Sequence, residues 1–302
     1  MGRVVVAGSS GLIGTALVGA LEAEGTGVVR LLRPTSRTAA ADDDAATWDP
    51  DAGTIDVRAL EGADAVVNLA GVGVADHRWT EAHKAAVLDS RIKSTTLLAE
   101  TMAAMDQPPP VLVSASGIDY YGDRGDEVLY EDSGPGRGFL ADVCLAWEAA
   151  TKPATAAGIR VAHVRTGIVL ASKGGALGRM LLPFKLGAGG RIGPGTQWWS
   201  WISIDDEVGG ILHVIRSAEL SGAVNLTAPN PVRNAEFTAT LARVLSRPAL
   251  LPVPRFALRA ALGDFADEAL LGSKRILPRR LEESGFTFAW PDLEPALREL
   301  VG

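Results

Sequence analysis

The first fourteen residues restrict what this chain can fold into more than any other stretch. Arg3 to Ala7 is a short apolar, β-branched run suited to a buried parallel strand, and it leads directly into Gly8-Ser9-Ser10-Gly11-Leu12-Ile13-Gly14. A helix over residues 12–24 follows, with Leu12, Ala16, Leu17, Ala20 and Leu21 on one face. A glycine triplet alone says little, but strand, glycine turn and amphipathic helix in this order describe a dinucleotide-binding unit. Gly8 permits the tight turn, Gly11 lets the backbone approach a pyrophosphate, and Gly14 lets the helix pack closely on the sheet. The N–H groups around Ser10, Gly11, Leu12 and Ile13 then face the phosphates along a favourable helix dipole.

The alternation continues along the chain. Strands are expected over residues 28–32, 65–69, 111–114 and 159–165, with helices over 81–105 and 140–157. Strands alternating with helices of this length imply an α/β fold, a Rossmann-type doubly wound parallel sheet covered on both faces. After Thr166 the pattern changes: residues 187–195 are rich in glycine, Gln197-Trp198-Trp199-Ser200-Trp201 is aromatic, and Asp205-Asp206 opens a helix to about 217. A short strand follows over 222–226, and from Asn234 the pattern is mostly helical, punctuated by prolines. Residues 1–170 therefore form the nucleotide-binding domain, completed by about 201–228. Residues 171–200 and 229–302 form a smaller substrate-side region. Only the loop near 35–44 reads as poorly ordered.

Composition narrows the partners. A net charge of −7 over 302 residues argues weakly against nucleic acid or an anionic membrane as the main partner. A small-molecule substrate is expected, with a monomer or homodimer both open. No apolar run reaches 18 residues, and a strand begins right after Met1-Gly2-Arg3, so the expected address is the cytoplasm. Cys144 is the single cysteine, and His77, His83, His163 and His213 are scattered without ligand spacing, so neither a disulfide nor a metal is expected.

The end of the second strand bears on cofactor choice. An NAD enzyme usually offers an acid there to the ribose 2′-hydroxyl. This chain has Leu31-Leu32-Arg33-Pro34 instead, and Arg33 suits a 2′-phosphate, which favours NADP.

Further motifs recur in order: Asn68-Leu69-Ala70-Gly71, Arg78-Trp79-Thr80, Ser90-Arg91, Tyr120-Tyr121-Gly122, Trp147-Glu148, Arg165-Thr166-Gly167, Gly174-Gly175-Ala176-Leu177, Ile204-Asp205-Asp206 and Asn225 to Asn230. With the glycine spacing GxxGxxG, they resemble the YfcH/SDR39U1 family of atypical extended short-chain dehydrogenase/reductases, often labelled epimerase family proteins. The resemblance spans essentially the whole chain. It implies that Leu32 and Arg33 border the adenosine end, with Leu69, Ala70 and Gly71 beside ribose and adenine. Arg91 then approaches the phosphates or ribose, and Ile168 lies near the nicotinamide side.

Working members of the superfamily move protons with a Tyr and a Lys four residues apart. Alignment on Trp147-Glu148 places Leu140 and Cys144 at those positions, and no YxxxK occurs in the sequence. Ser114 and Ser116 follow the fifth strand, where ligand contacts gather, and Tyr120 and Tyr121 come next. Ser114 is assigned to the cofactor, Ser116 and Tyr121 to catalysis. Trp198, Trp199 and Trp201 are candidates for a substrate pocket with Gln197 as polar reader, or for core. Asp205-Asp206-Glu207 reads as an N-cap and first-turn acid cluster. The function expected is an NADP-dependent oxidoreductase or nucleotide-sugar-epimerase-like enzyme. The alternative is a non-catalytic NADP-binding or redox-sensing protein.

Overall fold

The computed structural model describes residues 1–34, 45–249 and 252–301, so the loop expected near 35–44 lies outside the described residues. Strand β1 (Arg3–Ala7) is buried on both faces: Val4 and Val6 join one core, Val5 and Ala7 the other. That two-sided burial is why the strand reads as an unbroken apolar run. The chain continues through α1 (Leu12–Ala23), β2 (Gly27–Leu32), β3 (Ala45–Asp49), β4 (Thr54–Ile55), β5 (Ala65–Asn68), α2 (Glu81–Ala103) and β6 (Val111–Gly117). A 3-10 turn (Ile118–Tyr121), β7 (Val128–Leu129), α3 (Phe139–Ala149), α4 (Lys152–Ala156) and β8 (Arg160–Thr166) follow. Next come β9 (Ile168–Leu170), α5 (Gly175–Lys185), β10 (Trp198–Trp199), β11 (Trp201–Ser203), α6 (Ile204–Arg216) and β12 (Gly222–Leu226). The C-terminal part holds β13 (Val232–Arg233), α7 (Asn234–Val244), α8 (Arg255–Leu262), β14 (Arg275–Ile276), α9 (Arg279–Glu283) and α10 (Leu293–Val301).

Eight strands form the main sheet in the order β12-β8-β6-β5-β1-β2-β3-β4. Every neighbouring pair is parallel except β3 with β4. The fold is the Rossmann-type doubly wound sheet. Helices α1 and α6 cover one face, while α2 and α4 pack together on the other. From β1 the chain builds outward to β4 on one side, and from β5 outward to β12 on the other. The crevice of such a sheet opens above the carboxyl ends of the strands at this reversal, here β1 and β5.

Three departures from the sequence reading have physical causes. Strands β3 and β4 carry no apolar alternation, because at the sheet edge only Trp48 of β3 is buried. The helix expected over 140–157 is two helices, since Pro153 in the first turn of α4 lacks the N–H a continuous helix needs. Strand β6 runs on to Gly117, because Ser116 and Gly117 pair with Arg165 and Thr166.

A separate core gathers Leu170, Leu177, Trp199, Trp201, Phe237 and Leu297 from β9 onward. Within it β11 pairs with β9, and beside it β14 pairs with β7, its Ile276 packing with Ile118, Tyr121 and Leu129. The second pairing brings the residues around 268–276 against the loop that follows β6.

Candidate functional site

The three glycines of the first loop do different work. Gly8 has φ +80, and a Cβ there would lie 2.6 Å from the Leu69 carbonyl carbon, so the turn fits against the loop after β5 only with a bare backbone. A Cβ on Gly14 would lie 2.1 Å from the Gly8 carbonyl oxygen. What Gly14 packs against is thus the turn itself, a correction to the expectation that it serves helix-to-sheet packing. Gly11 has φ −75, and its Cβ would meet only the Gly8 oxygen, at 3.4 Å, among the described residues. Ser10 and Gly11 are exposed, while Leu12 and Ile13 are half-buried. Nothing inside the protein requires glycine at position 11. The bare backbone at the open N-terminus of α1 is a cradle for a group from outside, and a pyrophosphate fits it. The side chain of Leu12 closes the far side, 2.9 Å from where a Cβ of Gly175 would stand.

The neighbouring loop, Leu69 to Val72, is held from below. Asn68 Oδ1 accepts the Ala70 N–H at 3.2 Å and its Nδ2 donates to Thr95 Oγ1 at 2.9 Å. The Ser90 hydroxyl accepts the Val72 N–H at 3.0 Å. Arg91 donates through Nη1 to the Val72 and Val87 carbonyls at 2.9 and 3.0 Å, and its guanidinium stacks 4.8 Å from the Trp147 ring. Its planar group lies 3.2 Å from the Cβ position of Gly71, so Arg91 shapes the floor beside Gly71. At the end of β2 Leu32 is buried and Arg33 exposed. Arg33 Nη1 lies 3.3 Å from Asp51 Oδ2, and Lys93 Nζ 2.9 Å from Asp51 Oδ1. Lys93 first, then Arg33, hold the Asp51 carboxyl below the usual carboxylate range. The sequence shows no acid beside Arg33, yet the fold supplies one.

Along β6 and the turn after it the structure corrects the catalytic assignments. Ser114 is fully buried in the sheet, opposite Asn68 and His163. Ser116 is buried and its hydroxyl donates to Glu148 Oε1 at 2.8 Å. Tyr121 is 0% exposed; its hydroxyl donates to Asn225 Oδ1 at 2.7 Å and accepts from Arg165 Nη1 at 2.9 Å. Burial pushes that phenol up to about 12. Arg165 in turn grips Glu148 and stacks on Tyr120, 3.4 Å from its ring centre. Four of the recurring motifs therefore converge on one internal network, which uses the polar atoms of Ser116 and Tyr121. Neither is placed to pass a proton to a ligand.

Leu140 and Cys144 are also buried. The Cys144 thiol donates to the Gly117 carbonyl at 3.6 Å, and burial pushes it up to about 12. The N–H groups of Phe139 and Leu140 are capped by the Glu268 carboxylate at 3.1 and 2.8 Å. Beside them lies a pair that the sequence reading missed, buried Lys274 with its Nζ 2.8 Å from Asp119 Oδ1. No local spacing signals this pair, because β14 and the turn after β6 meet only in the fold.

Elsewhere Ile168 is half-buried in β9, donating its N–H to Ser200 O at 2.9 Å. Trp199 and Trp201 are core, Trp198 is half-buried with its indole N–H donating to Asp126 Oδ1, and Gln197 is buried with its amide donating to Ile192 O and Leu270 O. The cap of α6 is Ser203, whose Oγ accepts the Asp206 N–H. Asp206 accepts the Ala289 and Trp290 N–H groups at 2.7 and 3.0 Å, pinning the C-terminal segment. Glu207 is fully buried, accepts from Thr166 Oγ1 at 2.7 Å, and is pushed up to about 8 by burial.

The NAD dependent epimerase/dehydratase family matches residues 4–226. The chain belongs to that family. A domain of unknown function, DUF1731, matches residues 253–300. The epimerase family protein Mb2239 of Mycobacterium bovis is 47% identical over 285 residues, 94% of this chain and 93% of that protein. The crystal structure of human epimerase family protein SDR39U1 (isoform 2) with NADPH superposes with a TM-score of 0.89 at 36% identity, covering 99% of this chain and 98% of that one. UDP-glucuronic acid 4-epimerase from Bacillus cereus, in complex with NAD, shares the fold at a TM-score of 0.76 and 16% identity, covering 99% and 95% of the two chains. The resemblance read from the motifs is thereby established. Among the described residues, no helix is long and apolar enough to cross a membrane.

Proposed function

We propose that this epimerase-family protein binds NADP(H) across the carboxyl ends of β1 and β5 and acts as an oxidoreductase or epimerase-like enzyme on a small carbonyl or carbinol substrate. The observation that carries the reading is Gly11, a position with room for a side chain whose exposed backbone faces out of the helix N-terminus. Ser10 to Ile13 would hold the pyrophosphate through backbone N–H groups. Leu32 and Arg33 would border the adenosine, and the loop Leu69 to Gly71 the ribose. The Arg33–Asp51–Lys93 cluster holds two cations and one anion, so its net positive charge favours a 2′-phosphate over a 2′-hydroxyl. The human relative was solved with NADPH, which supports the same choice. When bound, a nicotinamide dinucleotide supplies hydride acceptance and donation.

The test is a calorimetric titration of cofactor-free protein with NADPH and NADH. Tight binding with NADPH preferred supports the reading, and binding of neither cofactor sinks it. A second reading, a non-catalytic NADP sensor, is favoured by Leu140 and Cys144 where the superfamily carries its Tyr and Lys. It requires that cofactor change the oligomeric state or a partner interaction, with no carbonyl substrate oxidising NADPH.

A further inference from the structure

The proton-transfer position of the superfamily is filled by Leu140 and Cys144, neither of which carries an available proton. Cys144 Sγ and Asp119 Oδ2 lie 3.6 and 3.9 Å from the same point, the Cβ position of Gly117. A carboxylate from the turn after β6 thus stands beside the vacated lysine position. Its side chain is 31% exposed, and among the described residues Oδ2 accepts no hydrogen bond. Oδ1 is held by Lys274, a side chain only 6% exposed, whose ammonium also donates to the Glu268 carbonyl at 2.7 Å. Glu268 caps α3, the helix that bears Leu140 and Cys144, so the pair is fixed to that helix from the C-terminal side. The charge of Asp119 also reaches Arg91, which packs on Gly71 in the loop expected to border the ribose.

We propose that Asp119, positioned by Lys274, is the acid–base group of this site and replaces the missing Tyr and Lys. The proposal rests on the cofactor reading above. In the oxidative direction Asp119 Oδ2 takes the hydroxyl proton of a secondary alcohol. The hydrogen on the same carbon leaves with its electron pair to an oxidised nicotinamide dinucleotide, so alcohol becomes carbonyl and dinucleotide becomes reduced. In the reverse direction protonated Asp119 returns the proton to the carbonyl oxygen. The geometry suits this role, since the buried Lys274 holds Oδ1 and leaves Oδ2 of the half-open carboxylate free for a proton.

The groups facing Asp119 are Lys274 from the β14 side, Cys144 from α3 and Arg91 from α2. The test records the Asp119 carboxyl resonance by carbon-13 NMR, identified by its loss in Asp119→Asn, in the separate NADP⁺ and NADPH complexes at one pH. A nicotinamide ring beside Asp119 differs in charge and ring current between the two complexes, so the resonance should move between them. An identical resonance in both complexes, with both cofactors bound, overturns the proposal and leaves the cofactor reading standing. Failure to bind either cofactor overturns both. In parallel, Asp119→Asn should slow NADPH oxidation by 9,10-phenanthrenequinone about 100-fold while NADPH affinity stays within about twofold. Lys274→Met should slow the oxidation as well, and Lys274→Arg should recover part of that loss. An unchanged rate in Asp119→Asn overturns the assignment.

Discussion

Arg165 holds Glu148 through two parallel hydrogen bonds, Nε to Oε1 at 2.8 Å and Nη2 to Oε2 at 2.9 Å, with both side chains nearly shielded from water. The pair ties β8 to α3 directly beneath the turn that carries Asp119. Removing one partner strands a buried charge, so Glu148→Ala and Arg165→Met should each lower unfolding free energy by about 3–5 kcal/mol in urea titrations. Arg165→Lys should not restore the loss, because an ammonium cannot reproduce the fork or the stack on Tyr120. A cost below about 1 kcal/mol for all three would mean that the network is not a structural core.

Tyr121→Phe separates the structural from the catalytic role of that tyrosine. Its hydroxyl bridges Arg165 and Asn225, and with a phenol pushed up to about 12 it stays protonated across neutral pH. The variant should lose about 1–3 kcal/mol of stability by leaving the buried Asn225 Oδ1 without its donor, with NADPH affinity unchanged. A variant of full stability that failed to turn over would restore Tyr121 to the chemistry.

The fold was legible in the sequence where both faces of a strand are buried. Strands β1 and β5 announce themselves as apolar runs, and the strand–glycine–helix unit fixes where the crevice opens. The edge strand β3 was not legible, because one buried tryptophan makes no pattern. In the candidate site, Gly8, Gly11 and Gly14 were readable because their roles are local. Ser116 and Tyr121 were misread, since sequence position puts them at the end of β6 and in the turn after it but does not show which way their hydroxyls turn. Asp119 and Lys274 were invisible for another reason: they meet only in the fold, where β14 pairs with β7 and Ser273 bonds the segment after β6.

Glu207 sets a pH dependence of known sign. Its ordinary value is near 4.5, and full burial pushes it up to about 8 in the folded protein, with one oxygen bound by Thr166 and the other without a partner among the described residues. Between those values the unfolded chain ionises while the folded one keeps its proton, so this group's contribution to stability falls as pH rises from about 4.5 to about 8 and levels off above. Glu207→Gln should flatten the fall in melting temperature over that window. An unchanged slope in the variant would assign the dependence to another group.

The glycine loop predicts two opposite phenotypes. In Gly14→Ala the new methyl would stand 2.1 Å from the Gly8 carbonyl oxygen, so the turn must open and the melting temperature should drop. In Gly11→Ala the methyl meets that oxygen at 3.4 Å and the backbone angle suits an L-residue, so stability should hold. The same methyl occupies the cradle, and NADPH affinity should fall by about tenfold or more. Equal NADPH affinity for Gly11→Ala and the parent, measured by calorimetry, would move the pyrophosphate elsewhere.

Arg33, Asp51 and Lys93 predict the cofactor preference and its competitor. Arg33→Ala should weaken NADPH about tenfold and NADH by less than twofold, because only NADPH carries a phosphate for that guanidinium. Asp51 is the group that a 2′-phosphate must displace, since it holds Arg33 at 3.3 Å and Lys93 at 2.9 Å. Asp51→Asn removes the competing charge and frees both cations, so NADPH should bind more tightly while NADH is little changed. The gain should shrink as salt is raised, because all three side chains are open to solvent. If Asp51→Asn instead weakens NADH, the carboxylate serves the ribose 2′-hydroxyl, and the preference for NADP inferred from Arg33 is reversed.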